Sequence, residues 1–307
     1  MNEPAPLVTV IGPTASGKTR LAVALAKAIG GEILSADSRQ VYRGMDIGTG
    51  KDLEEYDGVP FHLIDICEAG ERYNLYEYQQ DFTKALQQVR ANKNVPILCG
   101  GSGLYMEAVL KGYDFTSVPI NEPLRQSLQE LNKEQLQNML AQTPSAFTAH
   151  ADFSSHKRLI RAIEIAQYLQ THTQQPLHFS AIQNVINIGI DLPRDERRQR
   201  IATRLEKRLQ NGLVEEVERL LAQGVSPETL VYYGLEYKFV MQHLAGEINR
   251  EQLQKLLTIA IQQFAKRQMT FFRKMERDGF NIFWIDGTLS FENQVRAALE
   301  HIENYKS

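Results

Sequence analysis

The hydrophobic and polar positions change period several times along the chain. Residues 7–11 (LVTVI) form a short apolar run rich in β-branched side chains, the pattern of a strand buried on both faces. Residues 19–29 (TRLAVALAKAI) place apolar side chains three and four apart and predict a helix. Strand patterns return at 32–36 (EILSA), 61–66 (FHLIDI) and 95–99 (VPILC), with a helical stretch over 76–92. Strands alternating with helices of this length predict βαβ units and a parallel sheet. The texture changes near Thr116. From there to Gln183 strand signal nearly vanishes, and amphipathic stretches at 123–132, 134–141 and 157–169 replace it. One strand pattern returns at 185–190 (VINIGI), then two helical regions and a last strand at 281–285 (NIFWI). The expected fold is α/β: a parallel sheet flanked by helices over 1–115 and 184–307, interrupted by an all-helical insertion over 116–183.

Composition narrows the function classes. With 43% hydrophobic and 23% charged residues among 307, the chain is an ordinary globular protein. Its net charge is -3, from 34 basic and 37 acidic residues, so no global basic field draws it to nucleic acid. Any polyanion site must be a local patch. Two cysteines, Cys67 and Cys99, are too few for a disulfide framework or a zinc cluster. No apolar run reaches 18 residues, and the first residues lack a signal-peptide pattern. A reduced, cytoplasmic protein with no membrane contact is expected.

The strongest local motif is Gly12-Pro13-Thr14-Ala15-Ser16-Gly17-Lys18-Thr19, between a predicted strand and a predicted helix. Glycines let such a loop turn its N–H groups around a phosphate, and the following helix aims its positive dipole end there. Lys18 would neutralise phosphate oxygens and the Thr19 hydroxyl would hold Mg²⁺. The fold expected around this loop is that of the P-loop NTPases. The motif names neither the polyphosphate nor the reaction.

The acceptor side lies at other strand ends. Asp37 closes the second strand pattern and would face the phosphates across the crevice, where a carboxylate can take a proton from an attacking group. It could also simply cap the next helix. Gln40 is suited to reading an amino edge such as that of adenine. A second glycine loop, Gly100-Gly101-Ser102-Gly103, follows the strand at 95–99 and brings the Ser102 hydroxyl to the same edge, or is only a tight turn. Arg197, Arg200, Arg204 and Arg208 fall within about 80° of one helix face. The row has almost no acid at i±4, Glu196 being the one near Arg200, so it reads as a phosphate-facing surface, or as a merely basic one. Lys157, Arg158 and Arg161 form a second basic cluster. The stretch FAKRQMTFFR over 264–273 interleaves Lys266, Arg267 and Arg273 with phenylalanines that fit a core better than a nucleic-acid face.

Together these residues resemble the tRNA dimethylallyltransferase (tRNA isopentenyltransferase) family. The likeness rests on GPTASGKT, on SADSRQVYRGMDIGTGK (35–51), FHLID, PILCGGSGLY, KRLIRAIE (157–164), NGLVEEV (211–217) and FAKRQMTFFR, in order over nearly the whole chain. The resemblance implies transfer of a dimethylallyl group from dimethylallyl diphosphate to N6 of adenosine 37, beside the anticodon, in tRNAs reading codons that begin with U. It implies that Gly12, Pro13, Thr14, Ala15, Ser16, Gly17, Lys18 and Thr19, with Arg200 and Arg204, bind the diphosphate. It implies that Asp37 takes the N6 proton, with Lys18 and Thr19 assisting catalysis. It also implies that Asp37, Ser38, Arg39 and Gln40, with Ser102 and Lys157, Arg158, Leu159, Ile160 and Arg161, contact tRNA. Mg²⁺ is the implied cofactor, and a bacterial-type monomer is expected. The sequence departs from the family pattern at Asp52, where proline is common, and at Glu236 and Phe239, where a glycine and an acidic or amide residue are usual. Prenylation of free adenine nucleotides, a P-loop small-molecule kinase, and a nucleotide switch that binds RNA without chemistry would share the cradle.

Overall fold

The computed structural model describes residues 5–145, 147–148, 153–172 and 177–306. In chain order the first elements are β1 (Leu7–Ile11), α1 (Lys18–Ile29), β2 (Gly31–Ala36), β3 (Phe61–His62), α2 (Leu75–Ala91), β4 (Val95–Gly100) and α3 (Gly103–Lys111). Helices α4 (Glu122–Gln129), α5 (Lys133–Ala141) and α6 (His156–Thr171) follow. Then come β5 (Val185–Asp191), α7 (Arg194–Gln210), α8 (Leu213–Ala222), α9 (Pro227–Tyr233), α10 (Leu235–Leu244), α11 (Arg250–Arg277), β6 (Ile282–Asp286) and α12 (Phe291–Lys306). The strands pair in parallel as one sheet in the order β3-β2-β4-β1-β5-β6.

Alternation of side chains across a strand explains how the sheet is covered. Leu7 and Ile11 of β1 join one buried cluster with Leu34, Leu98, Phe82, Leu205 and Phe272. Val8 and Val10 join the other, with Leu21, Leu25, Ile33, Ile97, Ile188 and Ile302. The central strand is thus buried on both faces, as a parallel sheet between helices requires.

Two predicted elements differ. The strand expected over 61–66 pairs only through Phe61 and His62. Leu63 (φ 66°) and Asp65 (φ 55°) adopt left-handed backbone, and the Asp65 and Ile66 N–H groups donate to the carbonyls of Gln40 and Val41 instead. The two helical regions expected after β5 are five helices, because Gly212 (φ 99°), Gly224 (φ 91°), Gly234 (φ 142°) and Gly246 (φ 75°) break the run at turns.

The chain divides into two compact units, Met1–Leu110 with Ile182–Ser307, and Lys111–Ala181. The change of texture read at Thr116 comes after the division, since Gly112 (φ 66°) already turns the chain out of α3. In the helical unit Leu128, Leu136, Leu140, Leu159, Ile160 and Ile163 pack together. Asn121, Asn132 and Ser155 cap its helices by accepting N–H groups from the first turns. Glu164 is buried beside this core and accepts from the Asn121 N–H (2.6 Å), from Arg125 Nε and Nη2 (3.0 Å each) and from Arg161. Burial alone would raise its pKa, but these donors outweigh burial and hold the carboxyl below the ordinary glutamate value.

A depressed carboxyl stabilises the fold above the unfolded pKa and loses that contribution as pH falls through the folded one. The helical unit should therefore lose stability on acidification from neutral pH to below about 4. Glu164→Gln should melt lower than the parent at pH 7, and the gap should close in acid. Thermal unfolding followed by circular dichroism at both pH values checks this.

Candidate active site

Three loops leave the carboxyl ends of neighbouring strands β2, β4 and β1 at one edge of the sheet, the place where open parallel sheets bind ligands. After β1 the residues Gly12 to Gly17 turn tightly. Ala15 (φ 63°) and Gly17 (φ 88°) take left-handed backbone, and Ser16 N–H closes on the Pro13 carbonyl (3.3 Å). Such alternation directs successive N–H groups into a concavity, at the N-terminus of α1. Ser16 Oγ is buried there without a hydrogen-bond partner among the described residues, and a Cβ on Gly12 would lie 2.6 Å from it. An unsatisfied buried hydroxyl inside a ring of amides fits a site completed by an anion.

The acceptor loop after β2 is laced to the loop after β4. Ala36 and Gly100 are register partners, and a Cβ on Gly100 would fall 2.2 Å from the Ala36 carbonyl oxygen. Only glycine permits that approach. Ser102 N–H donates to the Ala36 carbonyl (3.1 Å), and Ser38 N–H donates to Ser102 Oγ (3.1 Å). Asp37 accepts the Arg39 N–H through Oδ1 (2.9 Å), a local turn bond that orients the carboxylate.

Lys18, Thr19, Asp37, Ser38, Arg39, Gln40, Ser102, Arg200 and Arg204 all line one cavity of about 430 Å³. Burial pulls the Lys18 ammonium below the ordinary lysine value, opposed by the nearby Asp37. Gln40 has both ends of its amide engaged: Oε1 accepts from Ser35 Oγ (3.0 Å) and Nε2 donates to the Gly50 carbonyl (3.2 Å). Both contacts brace the cavity wall. Cys99 lies beside Lys18 and Thr19, where burial pushes its thiol up to about 12.

The arginine row of α7 is more heavily paired than its sequence neighbours suggest. Ile201, Leu205 and Leu209 bury the adjacent stripe, and Arg200, Arg204 and Arg208 line the cavity, while Arg197 turns to the Leu192 carbonyl (3.5 Å). Arg200 pairs with Glu196, Arg204 with Asp52, and Arg208 lies 3.7 Å from Glu236. Asp52 and Glu236, two departures from the family pattern, are thus the acids opposite consecutive arginines. Burial pushes the Glu236 carboxyl up, and Arg208 pulls it back. The two arginines crowd Gly50, where a Cβ would fall 1.5 Å from Arg208 Nη2 and 2.7 Å from Arg204 Nη2.

Further residues line the cavity. Gln268 of α11 accepts the Thr14 N–H (2.8 Å) and donates to the Gly101 carbonyl (2.9 Å), bridging the two glycine loops. Glu55, Tyr233, Glu236, Tyr237 and Arg208 complete the wall. Arg208 was visible as a member of the row. Gln268 was visible only as one polar residue among the phenylalanines of 264–273. That stretch divides by face: Phe272 is buried, while Phe264 is 39% exposed with the Arg267 guanidinium over its ring.

The basic cluster of the helical unit is reduced. Leu159 and Ile160 are buried in that unit's core, so their side chains cannot meet a nucleic acid. Arg161 is committed to Glu164 and to the carbonyls of Phe115 and Val118. Lys157 and Arg158 are the exposed members.

No group of three or more metal-ligating acids, histidines or cysteines occurs among the described residues. Thr19 offers one hydroxyl, with Asp37 and Glu55 along the same wall. This donor set suits Mg²⁺ shared with substrate oxygens, and not an all-protein cage.

Comparison with known proteins finds relatives over nearly the whole chain. The IPP transferase family model matches residues 40–275. The chain is 49% identical over 302 residues to tRNA dimethylallyltransferase 1 of Parabacteroides distasonis, covering 97% of this chain and 98% of that one. It is 50% identical over 298 residues to the protein of that name from Porphyromonas gingivalis, covering 96% and 98%. Among solved structures it resembles the tRNA isopentenylpyrophosphate transferase of Bacillus halodurans, with TM-score 0.72, 31% identity and 98% of each chain covered. It shares its fold with a eukaryotic dimethylallyltransferase acting on tRNA, with TM-score 0.78, 20% identity, and 98% and 80% covered.

Asp52 pairs with Arg204, so a phosphate bound by Arg204 would have to displace it. Asp52→Asn should tighten binding of inorganic pyrophosphate by about two- to fivefold, the worth of a partly exposed ion pair, and added salt should shrink the gain. Calorimetric titration at two ionic strengths checks it.

Proposed function

The chain belongs to the IPP transferase family, and on that premise we propose how this cavity transfers a dimethylallyl group from dimethylallyl diphosphate to N6 of adenosine 37 in tRNA. The observation that carries the reading is the convergence of a phosphate cradle, an arginine row and a carboxylate on one cavity. A P-loop with arginines alone suits any polyphosphate. A carboxylate opposite the cradle adds a proton acceptor for an incoming nucleophile.

The diphosphate would rest on the amides of the cradle, against Lys18, Arg200 and Arg204. The N6 nitrogen attacks C1 of the prenyl group as the C1–oxygen bond breaks. The electron pair of that bond leaves with the diphosphate, whose growing charge meets amides, ammonium and guanidinium already in place. Asp37 accepts the proton that N6 loses. Thr19 would hold Mg²⁺, which would supply further charge neutralisation to the leaving group. An adenine inside an RNA stack cannot reach this carboxylate, so the base must be turned out into the cavity. Lys157 and Arg158, exposed on the helical unit, are suited to the RNA backbone. tRNAs that read codons beginning with U are the proposed substrates. No described helix is long and apolar enough to cross a membrane.

Incubation with labelled dimethylallyl diphosphate and either tRNA or AMP tests the reading. Label should enter tRNA, and nucleoside mass spectrometry should find it on N6 of adenosine 37; label in AMP alone overturns the proposal. Asp37→Ala should lower turnover by about 10²–10⁴-fold with a much smaller change in tRNA affinity. Replacing Lys157 and Arg158 with alanine should lower the salt dependence of tRNA binding by about one unit of slope per lost phosphate contact. An unchanged slope would place those residues away from the RNA.

A further inference from the structure

The segment 46–51 belongs to no helix or strand, and its residues Gly48, Thr49 and Gly50 line the cavity. Two buried charged side chains hold it. At one end Lys51, 1% exposed, donates to the Tyr42 carbonyl (2.6 Å), to Asp46 (2.7 Å) and to Asp65. At the other, Glu216 of α8 reaches beneath the segment, also 1% exposed. Its Oε2 accepts the N–H groups of Asp46 (2.8 Å) and Ile47 (2.7 Å). Its Oε1 accepts the Gly48 N–H (2.9 Å) and the Tyr237 hydroxyl (2.9 Å). Tyr237 packs against Gly48 so closely that a Cβ there would meet its ring at 2.7 Å.

A buried carboxylate with four donors is well matched, because each oxygen uses both of its lone-pair directions. A structural role alone would not require the donors to be three consecutive amides that lead directly into the wall residues Gly48, Thr49 and Gly50. What that wall presents is the Gly50 carbonyl, which accepts from Gln40 Nε2 (3.2 Å) and Arg204 Nη2 (3.3 Å). Gly50 also provides the gap that the Arg208 and Arg204 guanidinium groups occupy. A shift of the segment therefore moves a diphosphate-facing arginine and the acceptor-side Gln40 together.

We propose that Glu216 is a positioning residue for the transfer reaction: by holding the amides of residues 46–48 it sets the Gly50 carbonyl, and through it the placement of Arg204 and Gln40. The proposal rests on the assignment of this cavity to prenyl transfer. It predicts that loss of the carboxylate weakens the hold on the diphosphate more than it weakens tRNA binding, because Arg204 acts on the former.

The test is Glu216→Gln in the full-length chain. A glutamine can accept through one atom only and turns an NH₂ group toward donors. The KM for dimethylallyl diphosphate and the inhibition constant of pyrophosphate should both rise about tenfold, the equivalent of one hydrogen bond to a charged group. The KM for tRNA should change less than threefold, roughly the worth of an indirect contact. Val217→Ala, a core truncation one residue along α8, is the control: it should lower the melting temperature and leave both donor-side constants unchanged. Glu216→Asp draws the carboxylate back by one methylene, and its donor-side constants should rise by a smaller factor; it carries the test if the glutamine variant does not fold. Donor-side constants equal to those of the parent, in whichever variant folds, overturn the proposal. If the parent itself transfers no prenyl group, it is the functional assignment that fails, and pyrophosphate binding measured by calorimetry still decides the role of Glu216.

Discussion

Everything at the active edge depends on how closely β2 and β4 approach at their carboxyl ends. The Ala36 carbonyl stands where a Cβ on Gly100 would be, and it receives the Ser102 N–H. That contact brings Asp37, on one loop, within the same cavity as Ser102, on the other. β1 lies on the far side of β4 and delivers the phosphate cradle to the same edge. Gln268 then closes the arrangement by bonding to both glycine loops from α11. A larger residue at position 100 would part the strands and separate the carboxylate from the cradle.

Charge is managed by pairing more than by excess. The chain carries a net charge of -3, yet its cavity gathers Lys18, Arg200, Arg204 and Arg208. Glu196, Asp52 and Glu236 stand against three of them. Lone buried guanidinium groups would be costly to desolvate, and pairing with carboxylates holds these in place. The same logic recurs outside the cavity. Lys51 and Glu216 are each fully satisfied and buried, and between them they shape a segment that has no regular hydrogen-bond ladder of its own.

Much of this was legible in the chain. The strands at 7–11, 32–36, 95–99 and 185–190 and the helix after the cradle emerge from period alone, since apolar residues of a buried parallel strand form unbroken runs. The P-loop and Asp37 were legible because their spacing and position after strands carry a mechanism. The third strand was overestimated, because FHLIDI reads as a strand while the left-handed backbone at Leu63 and Asp65 sends it to pair with a loop. The KRLIR cluster misled in another way. Five successive residues suggested a single contact surface, but a helix turns 100° per residue and buries Leu159 and Ile160.

The sequence by itself determined the alternation of strand and helix, the phosphate cradle and the carboxylate that ends β2, because each is written in residues adjacent along the chain. Only the tertiary structure decided which distant groups meet. Asp52 facing Arg204, Glu236 facing Arg208, Gln268 spanning both glycine loops and Glu216 beneath residues 46–48 join positions between 28 and 254 residues apart. Local propensity cannot encode such pairings. They arise when burial removes water from polar groups and leaves each one to find its partner within the fold.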